Sequence, residues 1–371
     1  MTNSPVPSVG SASRSANKEA RDVRPRTSRR GLIPACLALL VLLLASVVVA
    51  IGLGPAVITP DETARYLWAA VSGGQIDARE ATTYQIVWEI RTPRVLLAAL
   101  VGAGLSTIGV AIQAMVRNAL ADPYVLGVSS GASVGAVGVT VTGALAGLGV
   151  YATSAGAFLG ALAASALVYA AAASRAGLSP LRLILTGIAM ALGLQAVMSM
   201  IIYLIPNSEA TSTVLYWTMG SFGAATWATL PAVAVSVLLG VLGLNRSSRA
   251  LDVMALGDET AASLGIDPDR HRKGLLVLIS LVTGAMVAVS GAISFVGLVM
   301  PHLVRMVVGA THKRVLAVSP LVGAVFMVWV DLVARTFVAP RELPLGVITA
   351  LIGVPVFVTL LRRKAYMFGG R

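Results

Sequence analysis

The sequence predicts an all-α polytopic membrane protein with about ten transmembrane helices, an inverted-repeat-like arrangement and some short or broken helices. Three observations support this fold class. The chain carries no charged side chain from Pro123 to Ser174, and none from Gly274 to Val304. Hydrophobic residues make up 57% of the 371 residues and charged residues only 12%, whereas soluble domains carry about 25% charge. The basic residues fall in short groups between apolar runs, as they do in the inside loops of membrane proteins.

The chain divides into a tail and one membrane domain. Residues 1–32 are rich in Ser, Arg and Pro, so we expect a disordered, basic, cytoplasmic tail. We expect residues 33–371 to form the transmembrane domain, which includes a cytoplasmic segment at about 245–273. The first apolar run, 33–53, is long for a signal peptide and lacks a clear cleavage site, so we expect an uncleaved span. The single cysteine, Cys36, excludes an internal disulfide.

Each predicted span is an apolar run close to the length of about 20 residues that a helix needs to cross the hydrocarbon. Glycine, alanine and serine are dense in these runs, which favours close helix packing. The predicted spans are 33–53, 95–116, 124–141, 152–173, 183–204, 226–244, 274–291, 296–309, 315–338 and 343–361.

The distribution of charge predicts the orientation. With these spans, 22 of the 28 Lys and Arg residues lie on the side of the two termini and six lie on the other side. The positive-inside rule therefore places the N- and C-termini in the cytoplasm of a multi-pass protein of the plasma or inner membrane. The net charge of +12 does not indicate nucleic-acid binding, because no nucleic-acid-binding motif accompanies it.

The segment Gly274–Val304 is too short for two full crossings. Basic clusters before and after it are both assigned inside, so it must cross an even number of times. Its 31 residues give roughly 46 Å of helix where two crossings need about 60 Å. We therefore predict a short helix and a break near 290–297 inside the bundle. The alternative is one tilted span, which would leave the C-terminus and its basic cluster outside.

An internal similarity supports the repeat. The segments Pro93–Asn118 and Lys273–Pro301 each carry a Gly/Ala/Ser-rich span that leads into a turn with proline. They enter the membrane from opposite sides, which is typical of inverted repeats in transporters.

Motifs for catalysis are absent from the sequence. It contains no GxxxxGK[ST] loop, no HExxH and no CxxC, and its three histidines are scattered. We therefore expect no catalytic and no metal-binding residue, and we do not expect an enzyme. A remote alternative is an intramembrane serine hydrolase that uses Ser129 or Ser130 with His302, although helix packing explains these serines better. An ion-coupled secondary transporter is the other alternative, and only Asp331 lies near mid-membrane to serve it.

The segment Ala255–Ile266 lies in the longest inside loop. Asp258 and Glu259 begin a short helical stretch, where the helix dipole favours acids, and Gly265 can end it. Leu256, Ala261 and Leu264 are predicted to form a small apolar face. Such a helix either inserts into a groove of a partner or folds back on the bundle.

Three arginines lie at the predicted outer ends of the membrane spans. Arg91 and Arg94 flank the start of the second span, and Arg335 lies at the end of the ninth. Asp331 precedes Arg335 by one helical turn and can pair with it. Together the arginines could form a basic rim that receives acidic side chains of a docking partner.

Four ordered blocks resemble the FecCD-type ABC importer permeases, which transport iron-siderophores, haem and cobalamin. The first block, Arg91–Ala132, begins RTPRVLLAALVGAG and ends ADPYVLGVSSGA. The others are Ala255–Ile266, 291–316 and 331–361, and the likeness extends from about residue 33 onward. The family reads NPLADP where this chain has Asn118-Ala-Leu-Ala-Asp-Pro123, so we expect the same turn with more flexibility.

The resemblance implies a permease subunit of an ATP-binding-cassette importer. It implies a homodimer or a pair with a close paralogue, two cytoplasmic ATPase subunits that hold ATP and Mg, and an extracytoplasmic substrate-binding protein. No cofactor is expected on this chain. The cargo is expected to be a ferric siderophore or a related chelate such as haem or cobalamin. The implied sites are ATPase coupling at Ala255, Leu256, Gly257, Asp258, Glu259, Ala261, Leu264 and Gly265; binding-protein docking at Arg91, Arg94 and Arg335; a cytoplasmic gate at Ser179 and Pro180; and a re-entrant turn at Asn118, Asp122 and Pro123.

Overall fold

The computed structural model describes residues 29–362 except 57, 175–176, 205–210, 212–213 and 215–216. This part of the chain contains fourteen α-helices and one two-stranded hairpin. The helices are α1 Arg29–Gly52, α2 Pro60–Ser72, α3 Ala81–Gln85, α4 Thr92–Met115, α5 Val128–Thr142, α6 Ala152–Ala172, α7 Pro180–Leu204, α8 Leu230–Arg246, α9 Ser248–Met254, α10 Asp258–Ser263, α11 Pro268–Ser290, α12 Val296–Val308, α13 His312–Thr336 and α14 Leu345–Arg362. The strands are β1 Ala173–Ser174 and β2 Gly177–Leu178, which pair antiparallel.

Each predicted span contains one apolar helix, which confirms the fold class. Six helices of the described chain are long and apolar enough to cross a membrane alone, and α8 with α9 forms a further pair bent by 60°. The apolar helices α5, α12 and α14 are shorter. The prediction of about ten spans is therefore approximate, and the short helices agree with the predicted short or broken spans.

Helix α4 lies at the centre of the bundle and packs through small residues. A π-helical turn, Ile86–Arg91, joins it to α3. A Cβ atom on Gly102 would overlap the carbonyl oxygen of Gly323 on α13, and one on Gly109 would overlap that of Gly297 on α12. Glycine is therefore required at these crossings, because any side chain would push the backbones apart.

The predicted break lies between α11 and α12 and is partly buried within the bundle. Gly291 and Phe295 both have positive φ values, 66° and 68°. The freed backbone groups find partners inside the bundle: the amide of Ala292 donates to the carbonyl of Trp217 at 2.8 Å. The amide of Ile293 donates to the Tyr124 hydroxyl at 2.9 Å. Non-helical backbone at membrane depth is tolerated because these partners satisfy it.

The side chain of Gln113, on the neighbouring helix α4, stabilises the short helix α12. Pro301 lies within α12 and has no N–H, so the carbonyl of Gly297 loses its normal donor. The buried amide of Gln113 on α4 donates to Gly297 O at 3.3 Å and to Leu298 O at 3.1 Å. Its carbonyl oxygen accepts from Arg305, also on α12. One side chain therefore fixes α12 against the central helix.

The two halves of the predicted repeat have the same local order. Helix α4 is followed by a turn and the short helix α5, and α11 is followed by a break and the short helix α12. The amphipathic helix α2 was not predicted. Its signal is the sequence Thr59-Pro-Asp-Glu62, because Glu62 accepts hydrogen bonds from the amide and hydroxyl of Thr59.

Candidate coupling site, gate and outer network

The outer end of the bundle contains a buried network of charges. Asp331 on α13 is fully buried, and its Oδ1 accepts from Arg94 Nε at 2.8 Å. The predicted pair with Arg335 also forms, with Nε 3.4 Å from Asp331 Oδ2. This second contact is an ion pair without hydrogen-bond geometry. The remaining donors of Arg94 bind Glu342 at 2.7 and 3.0 Å. Both carboxylate oxygens of Asp331 are therefore paired with arginines. This pairing disfavours an ion-coupled secondary transporter, which would need a carboxylate that can bind the coupling ion.

Arg91 and Arg335 bind the carbonyl end of α1. Arg91 donates to the carbonyls of Ile51, at 3.1 Å, and Gly52, at 2.7 Å. Arg335 donates to the carbonyl of Ala50. The last carbonyls of a helix have no intrahelical donor, and cations near them are favoured by the helix dipole.

The predicted basic rim is therefore not an exposed surface in this chain. Arg91, Arg94 and Arg335 are only 4, 7 and 4% exposed. The arginines of the predicted rim are already bound within the chain, because carbonyls at the end of α1 and the carboxylates of Asp331 and Glu342 contact all three guanidinium groups. Their docking role stays a prediction.

The predicted coupling segment forms a short helix at the opposite end of the bundle. Helix α10 begins at Asp258, with Glu259 also in its first turn. Gly265 has a φ of +79° directly after Leu264, so the predicted stop is confirmed. The rest of the segment is Ala255, which precedes the helix, and Gly257, its N-terminal neighbour with φ +121°.

The predicted apolar face of α10 is divided. Ala261 is fully buried against the bundle, whereas Leu256 and Leu264 are 69 and 61% exposed. The prediction of one apolar face is wrong, because Ala261 lies within α10 and faces the bundle, whereas Leu256 and Leu264 lie just outside the two ends of the helix and are exposed. Leu256 is thus exposed before the acidic first turn of α10, and Leu264 is exposed after its last turn.

Asp258 links α10 to α11. Its carboxylate accepts a hydrogen bond from the buried Arg272. This hydrogen bond holds the pKa of the Asp258 carboxyl below its usual range, and the charges of Arg272 and Arg117 add to the effect. The acid therefore remains ionised at neutral pH.

The predicted gate lies between the hairpin and α7. Ser179 is exposed, and α7 begins at Pro180. The preceding Leu178 is buried, and its amide donates to Asp269 at 2.6 Å. The gate position therefore adjoins the first turn of α11.

The predicted turn at Asn118, Asp122 and Pro123 forms without the proline that the family has after Asn118. The Asn118 side chain accepts from the amide of Leu120 at 2.9 Å, and the Asp122 side chain accepts from the amide of Tyr124 at 3.0 Å. Pro123 begins the following 3₁₀ turn. The two side chains close the turn in place of proline.

A cavity of about 530 Å³ lies between α5, the break and α14. Its walls carry hydroxyl groups, small residues and apolar side chains, and none of its lining residues is charged. Ser129 and Ser130 line it, but His302 is not among the lining residues, so the cavity does not bring together the predicted hydrolase pair. The lining residues are Tyr124, Ser129, Ser130, Thr218, Met219, Ala292, Ser294, Gly346, Val347, Ala350 and Leu351.

Two buried side chains were missed by sequence reasoning. Arg272 was counted only as one of many inside cations, and no local pattern pairs it with Asp258. Gln113 did leave a signal, because it is an isolated amide in an apolar span. Such polar residues within membrane helices usually have a partner in the bundle.

Together the apolar helices, the break inside the bundle and the two contrasting ends define a multi-pass membrane protein. The chain belongs to the FecCD transport family, whose model matches residues 41–363. It is 39% identical to YvrB of Bacillus subtilis, an uncharacterized ABC transporter permease, over 86% of this chain and 90% of that protein. It is 41% identical to the cobalamin import system permease BtuC of Halobacterium salinarum, over 76% of this chain and 75% of that protein.

Two further comparisons agree. The hemin transport system permease HmuU of Yersinia pestis is 39% identical, over 75% of this chain and 84% of that protein. A solved structure described as an inward-facing metal-chelate type ABC transporter superposes with a TM-score of 0.76 at 32% identity. It covers 88% of this chain and 98% of its own. The protein is therefore an ABC importer permease of the FecCD type.

Proposed function

We propose that this permease imports a ferric siderophore, or a related chelate such as haem or cobalamin, by alternating access driven by a partner ATPase. The observation that carries the proposal is the coupling segment Ala255–Ile266, in which exposed Leu256 and Leu264 flank α10 with its ionised Asp258, at the end of the bundle where the basic residues are concentrated. By the positive-inside rule this end, with both termini, is cytoplasmic. The chain itself hydrolyses no ATP, and ATP and Mg belong to the two partner subunits.

The ATPase is proposed to bind the coupling segment. Leu264 supplies apolar area that a groove can bury, so Leu264→Asp should abolish co-purification of the ATPase. The matched control is Leu148→Asp, because Leu148 is 49% exposed in the loop at the outer end of α5. Equal recovery of the ATPase with Leu264→Asp and with the control would refute docking at α10.

A second copy of the chain, or a close paralogue, is proposed to cover α7 and α14. Both helices carry apolar side chains at helical spacing that the chain leaves exposed. On α7 these include Leu181, Leu185, Ile188 and Leu192, and on α14 they include Val347, Leu351, Val354 and Val358. The cavity opens beside α14, so the pathway would lie between the two copies.

The binding protein is proposed to dock at the outer network. Of Arg91, Arg94 and Arg335, only Arg94 pairs with a carboxylate that is itself partly exposed, since the Glu342 side chain is 45% exposed. A carboxylate of the binding protein could exchange with Glu342 there. The other two arginines would support the site by fixing α1.

The cargo is proposed from the cavity and the relatives. Relatives are named for hemin, cobalamin and iron citrate transport. A cavity lined by hydroxyl and apolar groups suits the organic surface of a chelate and not a bare metal ion, which prefers anionic ligands. The test is uptake by proteoliposomes that contain this chain with its ATPase and binding protein. Ferric siderophores, hemin and cobalamin are supplied separately, and preferential uptake of hemin or cobalamin would reject the siderophore.

A further inference from the structure

One buried side chain contacts three elements at the inner end of the bundle. Arg272 lies near the start of α11 and is 3% exposed. Its Nη2 donates to the carboxylate of Asp258 on α10, and its Nη1 donates to the carbonyl of Leu178 at 3.1 Å. Its Nε donates to the carbonyl of Met115, at the end of α4, at 3.4 Å.

Both backbone groups of Leu178, at the end of the hairpin, bind side chains of α11. The carbonyl of Leu178 binds Arg272, and its amide binds Asp269 on the same helix. The approach is close: a Cβ on Gly177 would lie 2.9 Å from Asp269 Oδ1, and Gly177 has a φ of +91°. The end of the hairpin is therefore attached to the first turns of α11 through both backbone groups of Leu178.

The helix after the hairpin, α7, is one of the less buried apolar helices of the single chain. Only 11% of the apolar window of α7 is buried within the chain, against 61% for α11 and 78% for the segment that contains α4. Pro180, its first residue, lies two residues after Leu178. Only Ser179 separates Leu178 from α7, so a displacement of Leu178 acts directly on the inner end of α7.

We propose that Arg272 transmits movement of α10 to the start of α7, as a positioning residue for transport. The inference rests on the proposed function, in which the ATPase binds α10. A buried guanidinium cannot release Asp258 without leaving an unpaired charge, which is strongly destabilising. Arg272 therefore follows Asp258 when α10 is displaced, and Leu178 follows Arg272. Lysine cannot replace it, because its compact ammonium lacks the planar fork that reaches three acceptors.

The test uses the complex of this chain with its ATPase in lipid nanodiscs. Ser179→Cys, in a Cys36→Ser background, reports the hairpin through its rate of reaction with a water-soluble thiol reagent. The rate is measured with and without a non-hydrolysable ATP analogue. Arg272→Met and Arg272→Lys are compared with Arg270→Met, which removes an exposed cation from the same helix.

We expect the nucleotide to change the rate about tenfold in the parent and in Arg270→Met, within the range of coupled sites. In Arg272→Met and Arg272→Lys the ATPase should still bind and hydrolyse ATP, while the rate becomes independent of nucleotide. A merely structural role would lower assembly and would leave the nucleotide response of the assembled fraction intact.

Failure of the inference and failure of the proposed function give different results. An undiminished nucleotide response in assembled Arg272→Met overturns the inference and leaves the proposed function standing. A parent chain that neither binds the ATPase nor responds to nucleotide overturns the proposed function itself. Should Arg272→Met not assemble, Arg272→Lys, which keeps the positive charge but lacks the planar fork, takes its place. A full response in that variant also overturns the inference.

Discussion

Removing the charge of Asp331 tests the buried outer network. The carboxylate is fully buried and lies 2.8 Å from Arg94 and 3.4 Å from Arg335. Removing one member of a buried ion pair costs about 3–5 kcal/mol, because the remaining charge is left uncompensated. Here Arg94 keeps Glu342 and Arg335 keeps the carbonyl of Ala50. We therefore expect Asp331→Asn to lower the free energy of unfolding by about 3 kcal/mol, the lower end of that range.

The assay is the unfolding of the purified chain in mixed micelles by titration with a denaturing detergent. The control is Glu342→Gln, which removes the partly exposed carboxylate of the same network. Its expected loss is at most about 1 kcal/mol, because solvent screens a pair of this kind. Equal losses in Asp331→Asn and Glu342→Gln would refute the argument that burial sets the strength of the network.

Three further predictions follow from the site and the packing. Glu342→Gln should raise the affinity of the binding protein, measured by surface plasmon resonance, because Arg94 becomes available; weaker binding would contradict the exchange. Gly102→Leu should abolish the monodisperse peak in size-exclusion chromatography, whereas Gly138→Leu, with no heavy atom within 4 Å of the added Cβ, should leave it. The pKa of Asp258 is lowered in the folded chain, so its ion pair stabilises the fold above the ordinary aspartate pKa and is lost only as pH falls through the lowered value. Recovery of the ATPase should therefore be unchanged between pH 7 and about pH 5, and a fall within that window would contradict the pairing.

The positions of the membrane helices could be predicted from the apolar runs along the sequence. A run of apolar residues has few alternatives to a helix in lipid, because every backbone group must be paired within the segment. The break between α11 and α12 was also predictable, since the length of Gly274–Val304 does not allow two full crossings. The partners that satisfy the break, Tyr124 and Trp217, were not, because they come from distant parts of the chain.

The coupling segment was predicted only in part. The acids at its start and Gly265 at its end act within one short helix, so local rules find them. The direction of each side chain depends on the surface against which α10 lies. That surface buries Ala261 and leaves Leu256 and Leu264 exposed, which no pattern within the segment could specify.

The sequence by itself determined that this chain is a multi-pass membrane protein, where its apolar helices lie, and which four blocks resemble a transport family. These features depend on neighbours along the chain. Only the tertiary structure decided that Arg94 meets Asp331 and that Arg272 joins Asp258 to Leu178, because these partners lie on different helices and strands. The physical reason is that a charge in an apolar bundle must be paired, and the pairing partner is chosen by how the helices pack.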